Sequence, residues 1–128
     1  MKQASISSAP NFQPYQIVCL EYENSRLYAE VIQVVTSRQV CWVRPLMLAV
    51  LPDNDANPLP VLYNLRQGAD LVWPVSLFRP ALDTEVIPLL TQMDAPNAPM
   101  TDATEGHRQL TCFVRQVWQV YKSEFQAS

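Results

Sequence analysis

The side chains that could do chemistry in this sequence are few and scattered. His107 is the single histidine, Cys19, Cys41 and Cys112 are the three cysteines, and the nearest carboxylate pairs are Glu21 with Glu23 and Asp53 with Asp55. One histidine excludes an H-E-x-x-H or two-histidine metal site and would force any histidine triad through His107. That residue falls on the polar side of the first turn of a helix expected near the C-terminus, where exposure is the simpler reading. The cysteines form no C-x-x-C pair, and only Arg115, one turn after Cys112, could lower a thiol pKa, so packed thiols in a reduced, cytosolic compartment are expected. Glu21 with Glu23 lies at a hairpin end and Asp53 with Asp55 in a Pro-rich loop, which reads as solvated turn chemistry rather than paired acid and base. Two isolated glycines exclude the P-loop and the dinucleotide fingerprint. No metal, cofactor or catalytic residue is expected, and a small hydrolase with an unrecognised nucleophile is the only enzymatic reading left.

What the sequence offers instead is aromatic and arginine side chains suited to recognition. Tyr22, Tyr28, Trp42, Tyr63 and Trp73 lie on or beside expected strands, and small barrels use such clusters to hold Pro-rich peptides or methylated side chains. Trp42 and Trp73 are expected in the core, which leaves Tyr22, Tyr28 and Tyr63 for contact. Arg44, Arg66 and Arg79 could share a rim with them, a combination that also suits RNA bases. Against a general nucleic-acid or anionic-membrane binder stands the charge: 9 basic and 12 acidic side chains give −3 in 128 residues. At 48% hydrophobic and 16% charged, the chain is poorer in charge than an average domain, at roughly 25%, so part of its apolar surface is expected to face another protein or a second copy of itself.

The elements that must position these residues can be read from periodicity. Residues 1–14, with Pro10 and Pro14, read as a loose arm, and residues 15–93 as a β-rich body. Gln16 to Tyr22 and Leu27 to Thr36 read as strands of a hairpin turning through Glu23-Asn24-Ser25-Arg26. Gln39 to Val50 is a long third strand in which Pro45 demands an edge or a bulge. On the second and third strands neither parity is cleanly polar, so something must cover the outer face. Residues 51–60 read as loop. Val61 to Leu65 and Asp70 to Trp73 are expected to pair as a hairpin, with Gly68 supplying a positive φ. Pro74 and Pro80 then bracket one 3₁₀ turn at Val75 to Phe78. Leu82 to Met93 is expected to be extended before a turn of helix, because Pro88 would interrupt a longer one.

Residues 94–100 read as a linker to residues 101–125, the clearest helix in the chain. Leu110, Phe113, Val114, Val117, Trp118, Tyr121 and Phe125 recur on a 3.6-residue period and make one apolar face. Thr101 or Asp102 could cap it, with Glu105 completing a capping-box-like arrangement. Packed on its own body, this face would lid the strands; projecting, it would present Phe113, Val117, Trp118 and Tyr121 to a partner. The first is expected, since an isolated helix of this length is marginal in water. The fold class expected is therefore mainly β with a C-terminal helix, an SH3-like small β-barrel plus one amphipathic α-helix, with no membrane-spanning segment.

The tract from Leu65 to Glu85, with Arg66-Gln67-Gly68-Ala69-Asp70-Leu71-Val72-Trp73-Pro74-Val75-Ser76-Leu77-Phe78-Arg79-Pro80 at its centre, resembles a family of small cyanobacterial proteins, the EbsA-type accessory factors of type IV pilus assembly. The resemblance implies a non-catalytic cytosolic adaptor joining the pilus assembly ATPase to an Hfq-like protein. It assigns no binding residue. The alternative kept beside it is an RNA-binding or RNA-regulatory module.

Overall fold

The computed structural model describes residues 11–52, 59–95 and 103–127. The arm at 1–10, the Asp53 and Asp55 pair, the linker from 96 and the cap candidates Thr101 and Asp102 lie outside the described residues. The elements are β1 (Ile17–Tyr22), β2 (Ser25–Val35), β3 (Val40–Val50), β4 (Val61–Asn64), β5 (Leu71–Pro74), a 3₁₀ turn (Val75–Leu77), β6 (Arg79–Pro80), α1 (Asp83–Met93) and α2 (Ala103–Ala127). The strands make one antiparallel sheet in the order β4-β3-β2-β1-β6, with β5 also on β3, and this path does not close on itself.

The β1–β2 reversal is tighter than the expected four-residue turn. Tyr22 pairs with Ser25, so only Glu23 and Asn24 turn the chain, and Glu23 takes φ 53°. A positive φ at the first central residue is what lets a two-residue turn follow the twist of its strands. Upstream, the chain is ordered from before Tyr15: Phe12 is buried, and Tyr15 N–H donates to Val31 O at 2.7 Å. Phe12 thus anchors the chain in the core upstream of the expected boundary at residue 15, while Asn11, Gln13 and Pro14 are exposed.

Pro45 lies on the central strand β3, not on an edge, and a bulge accommodates it. Tyr28 pairs with Met47 and Ala29 with Pro45, leaving Leu46 as the extra residue. Past this bulge the faces of β3 exchange parity: Cys41 and Val43 join Leu48 in one core cluster, whereas Met47 and Ala49 join another.

The expected hairpin between residues 61–65 and 70–73 does not form. β4 pairs with Met47 to Val50 and β5 with Val40 to Val43, both antiparallel to β3. They run in the same direction along one edge, as a single strand broken opposite Arg44, Pro45 and Leu46, where the proline has no N–H to offer. No tight reversal is needed there, and Gly68 has no positive φ.

Each sheet face is packed by a different helix, which is why neither parity reads as polar. On one face Val18, Leu20, Leu27, Ala29, Val31, Cys41, Val43 and Leu48 pack with Trp73, Phe78 and the α2 residues Leu110, Phe113 and Val117. On the other, Cys19, Tyr28, Met47 and Ala49 meet Val86, Leu89, Leu90 and Met93 of α1. The extended stretch and break expected around Pro88 do not occur: α1 runs unbroken through it. Pro88 and Thr84, whose carbonyl loses its partner, are both exposed, so water can serve that carbonyl. α2 departs from helical geometry at Tyr121 (φ −112°, ψ 22°), beyond which Phe125 meets Trp73 edge-on at 5.4 Å.

Candidate functional site

A cluster of charged side chains fixes α1 to the sheet. Arg79, on β6, donates through Nη1 and Nη2 to the two oxygens of Glu85 at 2.8 and 3.0 Å and through Nε to Glu21 at 2.7 Å. Tyr28 Oη donates to Glu85 Oε2 at 2.8 Å, and the Leu82 N–H to Glu85 Oε1 at 3.0 Å. The Arg79 guanidinium holds the Glu85 carboxyl at about 2, well below its ordinary 4.5, and Arg79 lowers Glu21 as well. Glu21 also meets Arg26 at 3.2 Å, so the acidic residue of the hairpin end is a structural counterion. Burial, with the bond to Glu85, raises the Tyr28 hydroxyl pKa. This is a structural brace, and Tyr28, wholly buried, is removed from the candidate contact set.

α1 does not reach the far half of the same face, and there an aromatic patch is open. Trp42 on β3 pairs across the ladder with Val72 on β5 and, on its other side, with Gln33 on β2. Trp42 is 39% and Val72 59% exposed. The indole is held in place: its Nε1–H donates to Asp70 Oδ2 at 2.9 Å, while Arg44 Nε donates to Asp70 Oδ1 at 3.1 Å. Arg44 first, then Trp42, holds the Asp70 carboxyl below its usual range. The result is a preorganised apolar pair with an arginine beside it, on a rigid strand pair rather than a loop. Trp42 was expected in the core. It is outside because α1 does not cover this half of the face, and straight alternation wrongly groups it with Leu48, since the Pro45 bulge exchanges the faces of β3.

The other sequence candidates do not converge on this patch. Tyr22, Tyr63 and Tyr121 are half-buried at the margin of the main core. Phe113 and Val117 lie inside it, so neither is available to a partner. Trp118 is 40% exposed, with its ring centroid 4.7 Å from that of Phe125. Arg66 pairs with Asp94 at the end of α1, and Arg79 belongs to the brace. Asp70 and Val72 were missed, although Asp70-x-Val72 and Trp42-x-Arg44 share one alternation once the bulge is known.

The residues with reactive chemistry stay apart. Cys19 and Cys41 are buried, and burial pushes their thiols up to about 12 and about 11; Cys112 is exposed. His107 is exposed beside a cavity of about 330 Å³ that Asn64 and Gln67 also line. Among the described residues, no three His, Cys, Asp or Glu side chains come together as a metal site would require, and no helix is long and apolar enough to cross a membrane. Compared with protein-family models, curated proteins and solved structures, the chain matches none.

Proposed function

We propose that this chain is a non-catalytic adaptor on an SH3-like framework, and that its contact surface is the Trp42–Val72 patch. The framework is supported by the chain path: a β1–β2–β3 meander, a broken fourth edge strand, a 3₁₀ turn, and a return strand β6 set against β1. The observation that carries the function is the exposed, hydrogen-bonded Trp42 beside Val72 and Arg44. Tryptophan and arginine are enriched among residues that dominate interface energetics, and fixing the indole before binding lowers the ordering cost. The compartment we propose is the cytosol, and the partners are those the pilus-accessory resemblance implies, an assembly ATPase and an Hfq-like protein.

The RNA-binding alternative has less support. Arg26, Arg44, Arg66, Arg79 and Arg108 each face a carboxylate, which lowers the potential they could offer to phosphates. Parallel affinity purifications of the wild type and of Trp42→Ala/Val72→Ser, at 50 and 200 mM salt, test the choice. Protein partners retained at both salts by the wild type and lost from the double variant support the adaptor. Nucleic acid eluting steeply between the two salts, from wild type and variant alike, would refute it.

A further inference from the structure

We propose that the cleft between α1 and the sheet, remote from the Trp42 patch, is a binding site for a short-chain aliphatic carboxylate. The cleft has a volume of about 250 Å³; its walls are Ala49, Leu51, Pro60, Pro88 and Leu89, and its polar groups are Arg26, Tyr28 and Glu85. An apolar wall with a few clustered polar groups is the usual make-up of a small-molecule site.

Hydrogen-bond capacity decides the ligand's polar end. Each Glu85 oxygen already accepts two donors: Oε1 from Leu82 N–H and Arg79, Oε2 from Tyr28 and Arg79. The Tyr28 proton is thereby committed. Arg26 uses Nε on Glu21 at 3.2 Å and also bonds the Tyr28 hydroxyl oxygen, which leaves part of its five-donor fork, and its side chain remains 43% exposed. A guanidinium carries five N–H donors and no acceptor, so what the cleft has left to offer is donor capacity on a cation. That calls for an anionic acceptor, and the planar fork matches a carboxylate. A cavity of about 150 Å³ holds benzene, so 250 Å³ takes about ten heavy atoms by proportion, the size of a six- to eight-carbon acid.

Titrating the isotope-labelled full chain with hexanoate, hexan-1-ol and acetate, followed by amide chemical shifts, tests the site. Hexanoate should give saturable shifts centred on Arg26, Ala49, Leu51, Glu85 and Leu89, with a dissociation constant of about 1 mM or tighter. Hexan-1-ol and acetate, each lacking one half of the recognition, should bind at least about ten-fold more weakly. Arg26→Gln, at a half-exposed position, should weaken hexanoate about ten-fold while leaving hexan-1-ol unchanged, and Ala49→Leu should remove both by filling the cleft. The proposal is overturned if hexanoate produces no saturable shift at those amides. It is equally overturned if acid and alcohol bind alike, or if Arg26→Gln leaves hexanoate affinity intact.

Discussion

Glu85 accepts four hydrogen bonds and ties β2, β6 and α1 together, so its protonation state is linked to stability. Its carboxyl titrates at about 2 in the folded chain against an ordinary 4.5. The folded state therefore binds fewer protons, and the stability this contributes is fully present above about pH 4.5 and lost as pH falls through about 2. Glu21, Asp70 and Asp94, each lowered by an arginine, act in the same direction. Thermal unfolding between pH 6 and pH 2 should show a falling melting temperature, with Glu85→Gln flattening part of that slope. At neutral pH the same variant should cost about 1–2 kcal/mol, since Arg79 keeps Glu21 as its counterion. The cysteines give an independent check on burial. A thiol reagent at pH 8 should label Cys112 alone in the native protein and all three thiols after denaturation.

At the scale of elements, α2 owes its position to a missing side chain. A Cβ at Gly106 would lie 2.9 Å from the backbone carbonyl oxygen of Asn64, so only glycine lets the helix sit this close to β4. Alanine is the better helix former by about 1 kcal/mol, yet here Gly106→Ala should destabilise by about 1–3 kcal/mol, because the helix must lift off the strand. Urea unfolding would measure it, and a gain in stability would mean that the helix is not seated there. α2 was legible because seven apolar residues repeat on one period, and the strands because apolar runs end in turn chemistry. What periodicity could not show was the consequence of Pro45. A bulge adds one residue, and every face assignment beyond it inverts, so Trp42 reads as sharing a face with Leu48 of the main core instead of the open end of the α1 face. Pro88 misled in the opposite sense: local propensity favours a break, and burial of Val86, Leu89 and Leu90 against the sheet overrides it. The β4 and β5 pairing was illegible for a related reason, since two short strands separated by a turn look alike whether they pair with each other or share a third.

For the whole molecule, the sheet is a layer between two helices, and each face depends on its own cover. Deleting residues 101–128 removes Leu110, Phe113 and Val117 from the cluster that holds Val31, Val43 and Trp73. The truncated chain should keep far-UV β signal, lose near-UV signal and bind a hydrophobic dye, as molten states do. A truncated chain that stays monomeric with an unchanged melting temperature would show that the helix is not part of this core. Among the described residues, the half of the outer face beyond α1 is left open, and its aromatic pair is where the molecule is proposed to meet a partner. The most direct test is calorimetric titration of the purified chain against the two proposed partners, a pilus assembly ATPase and an Hfq-like protein, with Trp42→Ala/Val72→Ser in parallel. The wild type should bind at least one of them, and the double variant, with an unchanged melting temperature, should bind it about 30-fold or more weakly, the effect of losing a hot spot worth roughly 2 kcal/mol or more. Equal affinity of the wild type and the variant would contradict the proposed contact surface.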